Sequence, residues 1–150
     1  MSEWPDLSGR LSEGGHVLPV RVYYEDTDFT GIVYHGAYVR FFERARSDFL
    51  RLLEIHHAEL ADGVHGISLA FAVRTMTLDF QKPAKIDDVL EVRTSLVEHK
   101  GARVKLDQLI YNGEDLLVSA AVTVAVITSE GKPTRLPVAL AEKLTRYRTD

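Results

Sequence analysis

Cysteine is absent from the chain. That excludes disulfides, thiolate metal sites and cysteine nucleophiles, and it fits a reducing compartment. No run approaches the ~20 apolar residues that a membrane span requires. The N-terminal stretch, MSEWPDLSGRLSEGG, lacks the basic-then-apolar pattern of a secretory signal. Positive charge is not in surplus either: the net charge is −4, so the electrostatic basis for non-specific nucleic-acid binding is missing. The phosphate-cradling glycine loops, the nucleophile elbow and the two-histidine zinc helix motif are all absent. These absences lead us to expect a cytoplasmic protein with no membrane span, no nucleic-acid partner and no metal. What is present is an ordinary globular composition, 45% hydrophobic and 27% charged over 150 residues, which fits one domain. A chain of this size buries roughly 68–70% of its unfolded surface.

Residues 1–15 show no periodicity and are rich in glycine, serine and acids. They read as a flexible N-terminal tail ahead of a single domain over 16–150. Val17 to Glu25 reads as a strand, with Val20, Val22 and Tyr24 on one side. Residues 26–36 read as a loop. From Ala37 to Leu53, residues Ala37, Tyr38, Phe41, Phe42, Ala45, Phe49, Leu52 and Leu53 fall on one helical stripe, while Arg40, Glu43, Arg44, Ser47 and Arg51 fall opposite. Seventeen residues make a helix of about 25 Å, and its aromatic stripe needs a sheet to cover it. Glu54 to Gly66 holds two weak helical turns.

Beyond Ser68 the period changes to two. Leu69, Phe71 and Val73 are in phase; Met76, Leu78 and Phe80 take the opposite phase, which predicts a bulge or strong bend near Arg74-Thr75. Val89 to Val97 and Ala102 to Tyr111 are strands joined by a turn at His99-Lys100-Gly101. Asn112-Gly113 is a hairpin signal of the type I′ kind. Leu116 to Ile127 is almost continuously apolar and β-branched, so it belongs inside the sheet. Pro137 suits the first position of a closing helix to about Tyr147. Turns this short permit only antiparallel neighbours. The fold class is therefore α+β: one antiparallel, five-stranded sheet with a long helix across one face.

The adjacent histidines His56-His57 have no ligand spacing and read as a solvated helix end. His16, His65 and His99 read as loop residues. What remains is Asp26, Asp28, Tyr34, His35 and the start of the helix. A carboxylate ahead of a helix is often no more than a turn former. The same geometry can also do chemistry. The first helical N–H groups lack internal acceptors and carry partial positive charge, so they can hold a developing oxyanion. A nearby ionised Asp then serves as nucleophile or as base toward water. That pair suits acyl transfer from a good leaving group such as a thiolate. Asp26 reads as a supporting loop residue. Glu43, on the polar side of the helix, reads as a partner of Arg40 or Arg46 at three-residue spacing.

The run Asp28-Phe29-Thr30-Gly31-Ile32-Val33-Tyr34-His35-Gly36-Ala37-Tyr38 resembles the active-site signature of the 4-hydroxybenzoyl-CoA thioesterase family of hotdog-fold proteins. Val20 to Asp28, Phe42 to Arg46 and Arg74 to Thr77 resemble the branch of bacterial acyl-CoA thioesterases associated with the Tol–Pal cell-envelope system. The resemblance runs from about Val17 to Ile127. It implies a hotdog fold, in which the sheet wraps the long helix, and a homodimer with pooled sheets and an active site at the subunit interface; such dimers often pair again into a homotetramer. It implies an acyl-CoA substrate, with no cofactor beyond the CoA thioester itself. Asp28 matches the family's catalytic carboxylate, and the His35 backbone N–H matches the donor that polarises the thioester carbonyl. Tyr34, Val33 and the His35 side chain would line the acyl site, and Gly31 would give the loop its turn. Arg74, Lys100 and Arg103 are the candidates for the CoA phosphates. Thr30 stands where a smaller residue is frequent, and Gly36 lies within the helix entry. Two other functions share the fold: another acyl-thioester reaction such as enoyl hydration, and an interaction module that binds acyl carrier protein or envelope-biogenesis partners without turnover.

Overall fold

The computed structural model describes residues 8–63 and 68–147. Six strands form one sheet in the order β1-β2-β4-β5-β6-β3, every neighbouring pair antiparallel. They are β1 (Arg10–Ser12), β2 (Gly15–Arg21), β3 (Leu69–Phe80), β4 (Val89–Lys100), β5 (Arg103–Asn112) and β6 (Asp115–Thr128). Helix α1 (His35–Leu52) lies over β1, β2 and β4; α2 (His57–Ala61) and α3 (Val138–Thr145) are short.

The expected N-terminal tail and the count of five strands need correction. Arg10–Ser12 pairs with Gly15–Arg21 and adds a sixth strand, while residues 1–7 lie outside those described. Three polar-flanked residues carry no readable alternation, so this strand is held by its partner rather than by its own pattern. His16 is likewise no loop residue. It is a buried residue of β2, its Nε2 lies 2.7 Å from Asp48 Oδ2 on α1, and its ring stacks on Phe49 at 5.4 Å. A side chain at Gly9 would run into both Asp48 and His16. His99 is within β4, and His65 lies outside the described residues.

The helical stripe is buried as the wheel requires, except that Leu52 faces out. The helix starts two residues earlier than expected, at His35. A polar set pins it to the sheet. Gln108, fully buried on β5, donates from Nε2 to the Phe42 carbonyl at 3.0 Å and to Thr94 Oγ1 at 2.9 Å, and accepts from Arg46 Nη1 at 2.9 Å. Burial lowers the Arg46 guanidinium from its usual range, yet a guanidinium stays charged in proteins. Arg46 therefore joins Gln108, and Arg40 joins Asp26. Neither makes a close ion pair with Glu43 among the described residues.

The parity switch in β3 is a bulge at Arg74: Val73 opposes Val124 and Thr75 opposes Thr123. The extra residue returns Met76 and Leu78 to the core face that Leu69 and Phe71 occupy. β6 is interior, paired with β5 on one side and β3 on the other. At the β5–β6 hairpin Asn112 pairs with Asp115, so the turn residues are Gly113-Glu114. Only Gly113 of the two has positive φ, +61°, which fits type II′ instead of the expected I′. The Asn112 side chain instead donates to Asp88. Similarly, Lys100 pairs with Arg103, which leaves Gly101-Ala102 as the turn between β4 and β5. Pro137 caps α3 rather than opening it.

Candidate functional site

β2 stops at Arg21, and the chain leaves the sheet through a 3-10 turn, Tyr24–Asp26. This shortens the strand expected to reach Glu25 and turns Tyr24 outward, 81% exposed. Alternation cannot see this exit, because a 3-10 turn breaks the period of two. The chain then makes a tight reversal. Thr27 bridges to Val33, Asp28 N–H donates to the Ile32 carbonyl at 2.9 Å, and Gly31 N–H donates to the Asp28 carbonyl at 3.1 Å. Gly31 sits at φ +86°, a left-handed conformation that glycine adopts without strain. Val33 is buried; its N–H donates to Ala84 at 2.9 Å and fixes the loop to the segment after β3. Its side chain belongs to the core.

Asp28 Oδ1 accepts from the Thr30 backbone N–H at 2.8 Å and from Thr30 Oγ1 at 2.5 Å. The Thr30 hydroxyl, with its N–H second, lowers the Asp28 carboxyl below its usual range. Hydrogen bonds to the charged form always act in that direction. Asp28 is ionised at neutral pH.

The loop runs directly into α1. Tyr34 is the N-cap residue, and its N–H is satisfied by the Asp26 carbonyl at 2.9 Å. No side chain caps the helix. Among the described residues, the N–H groups of His35 and Gly36 have no acceptor. Two free amides and the positive end of an 18-residue helix dipole therefore meet at this point. The Tyr34 and His35 rings lie 4.5 Å apart, and the His35 ring meets the edge of Phe80 at 6.1 Å. Gly36 makes room for this: a Cβ there would lie 2.6 Å from Tyr34 Cε2.

Sequence reasoning missed the aromatic surround. Tyr23, Tyr24, Phe29, Tyr34 and Phe80 are all exposed, Phe29 completely. Exposed rings grouped in this way mark a binding surface, for a ligand or for another protein.

The three candidate cations are not at this loop. Lys100 and Arg103 face each other at the β4–β5 hairpin and line a recess of about 390 Å³ with Glu98 and Lys105. Arg74 is the bulge residue of β3. Arg103 lies opposite Ala125, which pairs with Ala72, whereas the Asp28 loop reaches the sheet beyond Phe80. Eight residues of β3 at ~3.3 Å each separate these ends by about 26 Å. A second cavity, about 330 Å³, lies between the C-terminal half of α1 and strands β3, β5 and β6, against Phe49, Leu50, Phe71 and Val124. None of the predicted site residues lines it.

The fold and sequence are shared with known proteins. Residues 22–144 match the family model described as the thioesterase-like superfamily. The chain is 42% identical over 121 residues to the acyl-CoA thioester hydrolase YbgC of Escherichia coli, covering 79% of this chain and 87% of that one. It is 41% identical over 128 residues to the acyl-CoA thioesterase YbgC of Haemophilus influenzae, covering 85% and 92%. Among solved structures, a probable thioesterase from Bartonella henselae superposes with a TM-score of 0.79 at 48% identity, over 81% of this chain and 98% of that one. The matched family model, together with the hotdog sheet and helix, makes this chain a member of the thioesterase-like superfamily.

Proposed function

We propose that the protein is a cytoplasmic acyl-CoA thioesterase that hydrolyses an acyl-CoA thioester to the free acid and CoA. One observation carries the reading: an ionised carboxylate, Asp28, stands in the loop that delivers an uncapped helix start with free N–H groups at His35 and Gly36. The thioester carbonyl oxygen takes the His35 N–H. Asp28 either attacks the carbonyl carbon, giving an acyl–Asp28 anhydride that water then opens, or deprotonates the attacking water. In both routes the oxyanion forms against the helix N-terminus and the CoA thiolate leaves without a strong acid. Removing one oxyanion donor typically costs about 2.7–4 kcal/mol of barrier. Tyr34 and the His35 ring border the acyl group, and Gly31 sets the loop. No cofactor takes part.

In this reading the CoA phosphates meet Arg74, Lys100 and Arg103 of a second copy. β3 is the sheet edge, with one side unpaired among the described strands. Two β3 edges joined antiparallel bring the cation end of one copy toward the Asp28 end of the other. That supports a homodimer, or a homotetramer of two such dimers. The resemblance to relatives of the Tol–Pal branch favours a role in envelope or lipid biogenesis, where acyl carrier protein is the alternative carrier.

The test is thiol release across short, long and aromatic acyl-CoA thioesters, with Asp28→Asn in parallel. Turnover by the unaltered chain and its loss in the variant is the expected result. Turnover that survives Asp28→Asn would remove Asp28 from the mechanism. Formation of hydroxyacyl-CoA without thiol would point to hydration. No reaction with any thioester would leave a binding role.

A further inference from the structure

We infer that Asp26 and Arg40 form a clamp that positions the reacting groups; neither need touch the substrate. The inference rests on the thioesterase reading for its catalytic consequence, not for its geometry.

Asp26 is 4% exposed, and carboxylates are almost never this buried unless paired. It makes contacts in three directions. Its Oδ2 accepts the Tyr23 N–H at 2.9 Å, while its own N–H donates to the Tyr23 carbonyl at 3.0 Å, which closes the 3-10 turn on both sides. Its carbonyl accepts the Tyr34 N–H at 2.9 Å. Its Oδ1 accepts from Arg40 Nη2 at 3.3 Å, on the second turn of α1.

One residue therefore joins the exit from β2, the N-cap of α1 and the body of α1. Asp28 follows two residues later, and His35 follows Tyr34 directly. The bond to Tyr34 has a further effect: it removes the N-cap N–H from the set of free donors and leaves the His35 N–H as the first one available. Asp28 and the His35 amide are thus held from a common anchor, although 13 residues without strand structure lie between Arg21 and His35. Such an anchor matters because displacing a reacting group by ~1 Å can lower a rate about 100-fold.

The test compares Arg40→Ala, Arg40→Lys, Asp26→Ala and Asp26→Asn with the unaltered chain, each by kcat, KM, melting temperature and amide hydrogen exchange. Arg40 is more than half exposed, so Arg40→Ala keeps the fold and carries the test if Asp26→Ala does not fold. The expected result for Arg40→Ala is a kcat lower by about tenfold or more, the range of a sub-ångström misplacement, with KM little changed. Arg40→Lys recovers part of the loss. Asp26→Asn, which still accepts the Tyr23 N–H, loses less than Asp26→Ala. The Tyr34 amide exchanges faster in Arg40→Ala while amides in the middle of α1 do not. An unchanged kcat, or a loss that only follows the fraction unfolded, overturns the clamp. If the unaltered chain hydrolyses no thioester, the functional reading fails by itself. The clamp is then judged by exchange alone, and an unchanged Tyr34 amide in Arg40→Ala overturns it.

Discussion

At the scale of the residue, Thr30 sets the chemistry of Asp28. Its hydroxyl and N–H both bind the carboxylate and keep its pKa below the ordinary range. Bonds that favour the anion also make it a weaker base and nucleophile, so Thr30 trades reactivity for constant ionisation. In the proposed mechanism the acid limb of the pH–rate profile, where Asp28 gains its proton, therefore lies at low pH. Thr30→Ala removes the hydroxyl bond, and the limb moves to higher pH; Thr30→Ser keeps the bond and leaves it in place. A pH series of kcat/KM on the three chains checks this, and a limb that stays put in Thr30→Ala would mean that another group is titrating. The turn from Asp28 to Gly31 was legible in the sequence, because an acid and a glycine at this spacing are turn formers. Asp26 was not: its burial depends on a 3-10 turn and on Arg40, fourteen residues away, and neither leaves a period to read.

At the scale of the element, the contact between β1–β2 and α1 depends on pH. Burial pushes the His16 imidazole down, and Asp48 offsets only part of that. Among the described residues its buried Nδ1 has no partner. The folded chain favours neutral His16, whereas in the unfolded chain it protonates near ~6.5. The stability that neutral His16 contributes is complete above that value and is lost as pH falls. The melting temperature should therefore drop as pH falls through 6, more steeply than in His16→Phe, and equal slopes for the two chains would place the pH sensitivity elsewhere. Elements also differ in how far the sequence reveals them. The α1 stripe and the β3 bulge were readable because many residues repeat one period, and a break in that period is itself a signal. β1 was not, because three residues cannot establish a period. The start of α1 was missed because His35 and Gly36 are poor helix formers. The β5–β6 hairpin lies one residue further on than its Asn-Gly signal, with Asn112 paired to Asp115 in the ladder.

At the scale of the whole molecule, the proposed dimer gives each chain half of a site. The Asp28 loop and the Lys100–Arg103 recess lie at opposite ends of the sheet, exposed aromatic rings surround the loop, and β3 runs along the edge. Val73, half exposed on that edge, would meet the second copy in the proposed dimer. Val73→Asp should lower both the sedimentation mass and the thiol-release rate together. A variant that keeps its mass and its rate would mean the chains do not join along β3. Continuous apolar character did mark β6 as interior, but which edge would meet a second copy leaves no period in the sequence.

The buried Gln108 has a mechanical consequence. Gln108 grips the Phe42 carbonyl and Arg46, and so acts as the pivot of a lever whose short arm ends at His35. Seven residues of helix make that arm about 10 Å long. A tilt of ~6° at the pivot swings the His35 amide by ~1 Å, enough to lower a rate about 100-fold. Gln108→Leu, a core change far from any substrate, should accordingly slow kcat by more than its melting temperature accounts for. Tuning of this enzyme would then reach the reaction through the pitch of a helix, from a residue that no substrate ever meets.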